Sequence, residues 1–354
     1  MKFSVSLHLE RADASVNMAD VIHHATDMAQ IADKYGFEIV WVGEHHTIES
    51  NIGPAPFQLL THFANHTNDV RLGTACVVAP YWNPIKLAGE AAFFDQLSGG
   101  RLELGLGRGA YQYEFDRMAG GIVQQLGVAY LQELVPVMKA LWKGDTSHKG
   151  KFWSFPVATA TPKPRQQEIP IWIAARDPGT YNWAIANGLN IHCWPITRPF
   201  SELESYRKRY DDALAASPQP RKPRFMAMRH THVYETDDGW RIATQSVVNR
   251  NGVFESLFRN EGGVRNGFPE SIDIFNLKHS GEFSDESLRE NLLFGKPHEV
   301  IQKLKAYEAL GVDNFCYYAG FGLPYDEQKR SLELFGREVI PAFAEEIRPM
   351  AQTA

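Results

Sequence analysis

Segments with the residue pattern of β-strands alternate with segments with the pattern of α-helices along the whole 354-residue chain. Eight strands are predicted, each followed by a helix. This alternation is typical of parallel sheets, because a helix returns the chain to the edge where the next parallel strand begins. No linker-like change of composition divides the sequence. We therefore expect an α/β fold, a single (β/α)8 barrel of the TIM type over residues 1–354, with insertions after strands 4 and 7.

The predicted elements are read from apolar periodicity and from glycine and proline boundaries. Strands are predicted at residues 3–9, 37–42, 70–79, 102–106, 169–175, 189–194, 224–234 and 312–318. Helices are predicted at residues 20–35, 56–65, 84–97, 119–142, 178–187, 201–216, 297–310 and 326–347. Two segments do not fit the alternation. Residues 151–155 are interpreted as one arm of a hairpin, and residues 236–296 as a lid-like insertion.

Composition excludes several classes of function. A net charge of -6 and a pI near 6.1 argue against a nucleic-acid partner. No apolar run reaches the roughly 18 residues that a membrane span needs, and the amino terminus does not have the pattern of a signal peptide. Cys76, Cys193 and Cys316 are too widely spaced to form a metal or redox pair. We expect a cytoplasmic protein with no membrane partner.

Polar residues follow the predicted strands at the end where barrels of this kind carry their sites. His8 follows the first strand, Glu44, His45 and His46 follow the second, and His192 ends the sixth. Histidines at three strand ends suit proton transfer, anion stabilisation or metal binding near neutral pH. The adjacent histidine pair and the glutamate before it are therefore the predicted catalytic residues.

Two further strand ends have the residues of an anion site. Arg108 stands between two glycines after the fourth strand, and its planar guanidinium fits a phosphate or a carboxylate. After the fifth strand, Asp177 can cap a helix that begins with Pro178, and free N–H groups with the Thr180 hydroxyl would hold a phosphate. The same residues are also consistent with an exposed loop charge at Arg108 and an ordinary capped helix after Asp177. The sequence motifs alone therefore leave both an anion site and a purely structural role open.

Together these stretches resemble the bacterial-luciferase-like family of flavin-dependent monooxygenases, which are single β/α barrels. The resemblance covers essentially the whole chain. The matching stretches are residues 43–46, 71–75, 78–80, 83–88, 95–101, 105–109, 174–180, 183–184, 331–335 and 339–341.

The resemblance implies a two-component, FMN-dependent monooxygenase. Such an enzyme uses O2 and reduced FMN, supplied by a separate NAD(P)H-dependent flavin reductase, to oxygenate a small organic substrate through a peroxyflavin. It also implies a homodimer. No metal is expected, because the sequence offers no convincing set of metal ligands. A separate reductase agrees with the absence of a strand–Gly-x-Gly-x-x-Gly–helix fingerprint for a dinucleotide.

The resemblance also assigns roles to positions of this sequence. His45 and His46 match a pair beside the isoalloxazine, and Arg108 matches the arginine that binds the FMN phosphate. The backbone at Ala75 and Cys76 matches a strand end beneath the flavin, commonly with a non-proline cis peptide. The cofactor-binding residues expected in this way are Ala75, Cys76, Gly107, Arg108, Arg176, Asp177, Thr180 and Trp194.

The sequence departs from the family pattern at two positions. Luciferase has a cysteine where Gly107 stands, so light emission from a long-chain aldehyde is not implied. Asp177 stands where a serine phosphate ligand is usual, and its carboxylate would repel a phosphate unless it turns away to cap the helix.

Three other functions compete with this interpretation. A deazaflavin-dependent oxidoreductase would use the same barrel for hydride transfer. A metal-dependent hydrolase lacks support because His8 has no second histidine two residues further on. A non-catalytic flavin-binding protein is opposed by the histidine pair. For the homodimer, the small residues Ala88, Gly89, Ala91 and Ala92 predict a dimer surface on the helix at 84–97, unless that helix lies tightly on its own barrel.

Overall fold

Eight parallel strands close into a barrel in the computed structural model, which describes residues 1–274 and 281–344. The strands pair in chain order, and the last pairs with the first. Val5, for example, lies between Val40 of the second strand and Tyr317 of the last. The predicted (β/α)8 barrel is therefore confirmed. Its strands are β1 (Lys2–Leu7), β2 (Ile39–Val42), β3 (Arg71–Thr74), β4 (Leu102–Gly107), β5 (Ile171–Ala174), β6 (Asn190–Cys193), β7 (Phe225–Val233) and β8 (Asn314–Tyr318).

Helices surround the barrel, and several begin at a side chain that caps them. Asn17, Asn83 and Asp177 each accept a backbone N–H from the first turn of the helix that follows. The α-helices are α1 (Met18–Lys34), α2 (Pro56–Ala64), α3 (Pro84–Leu97), α4 (Gln112–Met118), α5 (Gly127–Lys143), α6 (Pro178–Ala186), α7 (Phe200–Ala216), α8 (Trp240–Arg259), α9 (Asp285–Asn291), α10 (Pro297–Ala309) and α11 (Tyr325–Leu334). Among the described residues, no helix is both long and apolar enough to cross a membrane.

Large side chains fill the barrel below its carboxyl-terminal mouth. The rings of Trp41 and Trp172 meet edge to face, with their centroids 5.6 Å apart. Gly73 has no side chain because a Cβ there would lie 2.3 Å from the Trp41 ring. Nε1 of Trp172 donates to Oε2 of Glu103 at 2.6 Å. The interior of the barrel is thus a packed core rather than a pore.

The predicted strand at residues 70–79 is wrong in its second half. β3 ends at Thr74, the peptide bond between Ala75 and Cys76 is cis, and only Val77–Val78 return to the sheet beside β4. A 3-10 turn then covers residues 79–81. A long apolar run cannot distinguish one strand from two pieces separated by a bend.

The predicted helix at residues 119–142 begins too early. Gly120 and Gly121 have φ angles of 63° and 75°, which lie outside the right-handed helical region, and α5 begins only at Gly127. Before these glycines lies the short helix α4, which the prediction missed. The predicted hairpin is confirmed, but its strands are Thr146–Lys149 and Ser154–Ala158.

The insertion at residues 236–296 contains ordered elements. It includes α8, a small hairpin of Val264–Arg265 with Phe268–Pro269, and α9. Residues 293–295, which the prediction placed in the insertion, form a short strand parallel to β7. Residues 275–280 of the predicted lid lie outside the described residues.

Two predictions about helices need correction. The C-terminal helix predicted at 326–347 is α-helical only to Leu334, and continues as a π turn to Val339 and a 3-10 turn to Phe343; residues 345–347 lie outside the described residues. On α3, Ala88, Ala91 and Ala92 are fully buried. The small residues therefore let α3 lie tightly on its own barrel. The large apolar side chains that it exposes are Phe93 and Leu97.

Candidate active site

Glu44 holds together two walls of the barrel mouth. Its carboxylate is buried, and Oε2 accepts the N–H of Val78 at 2.7 Å. The indole Nε1 of Trp82 lies 3.0 and 2.9 Å from the two oxygens, and Nε2 of His46 lies 2.9 Å from Oε1. With this many partners, Glu44 fixes the chain after β3 and orients His46.

His46 belongs to the wall. Its ring meets Tyr81 edge to face with centroids 5.6 Å apart, on the side where Glu44 holds its Nε2. Successive side chains of an extended chain point to opposite sides, so one imidazole of the pair is expected in the wall, and His46 has that position. Its contacts suit a structural support for the mouth.

His45 has a different carboxylate partner. Its Nδ1 lies 3.1 Å from Oε2 of Glu114, a buried residue in the first turn of α4. The other oxygen of Glu114 accepts the backbone N–H of His46 at 2.6 Å. Glu114 therefore fixes both the ring of His45 and the backbone that carries the pair. In the tautomer in which Nδ1 of His45 donates to Glu114, Nε2 is left as a proton acceptor.

The absence of a side chain at Gly43 leaves space between two imidazoles. A Cβ at this position would lie 3.7 Å from Cδ2 of His45 and 4.0 Å from Cε1 of His8. His8 itself is fixed by Ser6 Oγ, 2.9 Å from its Nε2, and by Asn51 Oδ1, 3.2 Å from its Nδ1. The mouth between β1 and β2 is thus lined by two rings in defined orientations.

Three histidines at the mouth are held neutral. Burial lowers the pKa of His8 to about 3, of His192 to about 4 and of His230 to about 3. Nε2 of His192 and Nδ1 of His230 are buried and have no hydrogen-bond partner within residues 1–274 and 281–344. Buried polar atoms of this kind usually have a partner, so these are candidate contacts for a bound molecule.

On the opposite side, the end of β5 is open. Ala174 is exposed, whereas the other three residues of this strand are buried. Next to it lies Cys76, whose pKa burial raises to about 12, so that the thiol is neutral. A Cβ on Gly107 would lie 3.2 Å from Cβ of Cys76 and 3.7 Å from Cβ of Ala174. The three residues thus form a tightly packed surface where Ala75 and Cys76 were expected to lie beneath the flavin.

Arg108 lies beside this surface with its charge free. Within the described part of the chain, its guanidinium makes no hydrogen bond and no ion pair. It is close enough to Asp177 to contribute to lowering the pKa of that carboxyl. Charged groups without a partner at the end of a barrel strand are typical of an anion site.

Asp177 caps α6 and accepts hydrogen bonds from both the backbone N–H and the hydroxyl of Thr180. Oδ1 accepts the Thr180 N–H at 2.9 Å, and Oδ2 accepts the Thr180 hydroxyl at 2.7 Å. Burial alone would raise the pKa of Asp177, but these two hydrogen bonds and Arg108 lower it. The predicted cap is confirmed. In this arrangement the hydroxyl proton of Thr180 points at Asp177, so a phosphate would have to compete with that carboxylate.

Arg176 and Trp194 are adjacent at the rim. Arg176 is exposed, and its Nη2 lies 3.5 Å from the carbonyl oxygen of Trp194. The Trp194 ring stacks on Tyr318 with centroids 5.2 Å apart and an angle of 14° between the planes. Its Nε1 is buried without a partner among the described residues. Both residues are therefore available for contacts with a ligand.

Several residues of the mouth were not predicted from the sequence. Glu114 was overlooked because α4 was not predicted. His230 continues the period-two series Met226, Met228, His230 of β7, a pattern that places it inside the barrel and could have identified it. Arg250 was hidden in the predicted lid. As for metals, no group of three or more His, Cys, Asp or Glu residues suited to an ion occurs in the described ranges.

Comparison with known proteins shows the family to which this chain belongs. The model of the luciferase-like monooxygenase family matches residues 1–314. The oxygenase component of the flavin-dependent trigonelline monooxygenase of Acinetobacter baylyi is 38% identical over 346 residues, which are 98% of this chain and 96% of that protein.

Two solved structures share the fold. The oxygenating constituent of 3,6-diketocamphane monooxygenase from Pseudomonas putida, a type II Baeyer–Villiger monooxygenase in complex with FMN, has a TM-score of 0.75 at 19% identity, covering 96% of this chain and 98% of that one. An F420-dependent secondary alcohol dehydrogenase has a TM-score of 0.74 at 18% identity, covering 97% and 99%. At these identities the structures support the barrel alone. The family model and the full-length relative show more than the fold: the chain belongs to the luciferase-like monooxygenase family.

Proposed function

We propose that this flavin-dependent monooxygenase is the oxygenase component of a two-component system. It receives reduced FMN from a separate NAD(P)H-dependent flavin reductase and uses O2 to oxygenate a small organic substrate. The full-length similarity to a protein named as an oxygenase component supports the division into two components. A cytoplasmic location and a homodimer are part of the same proposal, the dimer surface being centred on exposed Phe93 and Leu97.

The single observation that carries the choice of FMN is the unpaired Arg108 beside the open end of β5. FMN has a phosphate, and a free guanidinium at a strand end suits it. The exposed Ala174 and the packed surface of Cys76 and Gly107 suit a flat ring system that needs close approach. The side chains present thus fit the cofactor.

When bound, reduced FMN supplies the electrons that activate O2. The protein's own residues would control protons and water around it. His45, oriented by Glu114, can hold or move a proton at Nε2. The other mouth histidines, His8, His192 and His230, stay neutral and add no charge.

Exclusion of water is the second task of the mouth. Leu257 of α8 clusters with Ile48 and Tyr111, and Phe254 of the same helix packs against them. This aromatic and aliphatic cover lies over the chain that follows β2 and β4. Activated oxygen is lost when water reaches it, so an apolar cover favours transfer to substrate. The lid function that we propose for α8 rests on this contact.

The test supplies reduced FMN from an unrelated NADH-dependent flavin reductase. We expect trigonelline, as the first candidate substrate, to gain one atom from 18O2, with no rapid NADH oxidation when the reductase is omitted. Rapid NADH use by the protein and FMN alone would contradict the two-component proposal. Binding of a reduced deazaflavin in place of FMN would support the hydride-transfer alternative, and flavin binding without product from any compound tested would indicate a non-catalytic protein.

The dimer is tested by sedimentation at micromolar concentration. We expect twice the 40.0 kDa mass of the chain. Phe93→Asp is expected to give the monomer, whereas Phe152→Asp on the hairpin is the control. A monomeric wild-type protein would show that the exposed side chains of α3 do not form this interface.

A further inference from the structure

Arg250 is a largely buried charge that the proposed chemistry does not use. It lies on α8, and its side chain is 12% exposed. Nε donates to Oε1 of Glu10 at 3.0 Å, and Nη2 donates to the carbonyl oxygen of Ser50 at 2.9 Å. The third nitrogen, Nη1, is buried and has no hydrogen-bond partner in the described ranges of the chain. A cation fixed on two sides thus keeps one donor without a partner of good hydrogen-bond geometry, near the Tyr318 hydroxyl.

The position of Arg250 on its helix directs it to the barrel mouth. Phe254 and Phe258 follow at intervals of four residues, so the three side chains share one face of α8. The Phe254 ring meets Trp194 and Tyr111, each with centroids 6.0 Å apart. Because Trp194 and Tyr111 line the mouth, the face that carries Arg250 covers it.

Electrostatic interactions also place the guanidinium of Arg250 near residues of the barrel mouth. Burial raises the pKa of Tyr318 and of Tyr111 above the usual range, and Arg250 opposes both shifts. Burial also lowers the pKa of His230, and the charge of Arg250 lowers it further. Arg250 therefore lies within interaction range of groups on β7, on β8 and on the segment after β4, which meet at the mouth.

Glu10 keeps Arg250 charged and in place. Burial alone would lower the pKa of Arg250, but Glu10 raises it. Oε2 of Glu10 accepts the N–H of Gly322 at 3.1 Å, so the carboxylate is itself fixed. A buried donor without a partner is costly, and a rigid guanidinium needs little reordering to bind an anion.

We propose that Arg250 binds the carboxylate of the substrate, and that the substrate is a planar aromatic carboxylate whose ring lies against the aromatic side chains of the mouth. The free Nη1 gives the carboxylate a charged donor. Tyr111, Trp194 and Phe254 give the ring flat apolar partners in edge and face orientations. Trp194 Nε1, unpartnered as well, is a second donor at the same mouth.

This inference rests on the proposed function for the place of the substrate, and its test is independent of turnover. Binding to the protein with oxidised FMN is measured by calorimetry for matched probes. The carboxylates are trigonelline, nicotinate and benzoate, and their uncharged-group counterparts are N-methylnicotinamide, nicotinamide and benzamide. We expect at least one carboxylate to bind more tightly than its amide, by about tenfold to a hundredfold, the range of a hydrogen bond to a charged group.

Arg250→Met should remove this preference, with amide binding and the FMN dissociation constant changed less than about threefold. Arg250→Lys keeps the charge, protects folding and should retain part of the preference. Arg259→Met is the control, because Arg259 lies on the same helix with an exposed side chain paired to Glu255.

Three results would overturn the inference. One is a wild-type protein that binds no carboxylate more tightly than its amide, whether or not it oxygenates some other compound. Another is an equal loss of affinity for the carboxylates and for the amides in both Arg250→Met and Arg250→Lys, which would show that Arg250 has a structural role. The last is loss of FMN affinity with probe preference intact, which would assign Nη1 to the cofactor.

Discussion

Glu114 Oε2 lies 3.1 Å from Nδ1 of His45, across 69 positions of the sequence. Both residues are on segments that follow barrel strands, and the pair connects the part of the mouth after β2 to the part after β4. Since Oε1 of Glu114 also accepts the His46 N–H, one carboxylate sets the ring and the backbone together. A histidine oriented by a fixed carboxylate is a common arrangement for proton transfer.

His45→Ala tests the ring itself. We expect the FMN dissociation constant to change only a few-fold, because His45 is proposed to control protons rather than to bind phosphate. Product formation should fall roughly a hundredfold or more, the usual contribution of a general acid–base group. Oxygen uptake should then end in hydrogen peroxide. His148→Ala is the control, because His148 pairs with Glu133 away from the mouth. Unchanged coupling of oxygen uptake to product would show that His45 is structural.

Glu114→Gln tests the orientation of His45. The amide can donate to Nδ1, which favours the imidazole form with its proton on Nε2 and removes the acceptor from the mouth. We expect a loss of coupling of the same order as for His45→Ala, roughly a hundredfold, with FMN affinity retained. The double variant should then be no worse than either single one. Glu133→Gln, at the control pair with His148, should leave product yield unchanged; additive losses in the double variant would separate the two residues.

Arg108→Ala tests the phosphate contact. We expect FMN binding to weaken by roughly 1.5–3 kcal/mol, the range for a hydrogen bond to a charged group. Folding should be little affected, because the guanidinium has no protein partner within the described residues. Arg117→Ala is the control, because Arg117 is exposed and its guanidinium lies over the half-buried ring of Tyr113. An FMN dissociation constant equal to that of the wild type, with the melting temperature intact, would remove Arg108 from the cofactor site.

Asp177→Ser tests the departure from the family pattern. Serine still caps α6, but it removes the negative charge and releases the Thr180 hydroxyl. We expect FMN to bind up to about fivefold more tightly, because interactions of exposed charges amount to roughly 0.2–1 kcal/mol. Asp177→Asn should give a similar gain if charge is the cause. Weaker binding in both variants would mean that the carboxylate supports the site.

The strands, the barrel and the position of the mouth could be predicted because each depends on local periodicity. The contacts that give the mouth its chemistry depend on residues far apart in the sequence. Glu44, next to the pair, orients His46, whereas the partner of His45 lies on α4. Adjacent residues of an extended chain point to opposite sides, so the two rings need different partners.

Other errors have equally physical causes. Residues 75–79 are apolar throughout and follow β3 without a polar break, whereas the contact of Glu44 with Val78 shows that the chain has bent here. The small residues of α3 allow close packing on either a partner subunit or the barrel, and the burial of Ala88, Ala91 and Ala92 shows that they pack on the barrel. Arg250 was missed because its burial depends on Glu10 and Ser50, which reach it from 240 and 200 residues away.

The neutral histidines of the mouth predict how stability depends on pH. In the folded protein, burial lowers the pKa of His230 to about 3, whereas an unfolded histidine titrates near about 6.5. Between these values the unfolded chain binds more protons than the folded chain, so the free energy of unfolding rises with pH. The contribution of His230 to the free energy of unfolding is complete above the pKa of the unfolded histidine, and it is lost as the pH falls towards the pKa of the folded one. His8 and His192 act in the same direction.

His230→Phe should therefore flatten the rise of the unfolding free energy between pH 4.5 and 7, as measured by urea denaturation at matched ionic strength. Phenylalanine fits the aromatic neighbours Tyr318 and Phe321, whose ring centroids lie 4.7 and 5.3 Å from the imidazole. The variant should gain most at the acid end, where the wild type must protonate a buried ring or unfold. His23→Asn is the control, since His23 is 77% exposed and should leave the slope unchanged. A slope in His230→Phe equal to that of the wild type would show that His230 does not contribute to acid sensitivity.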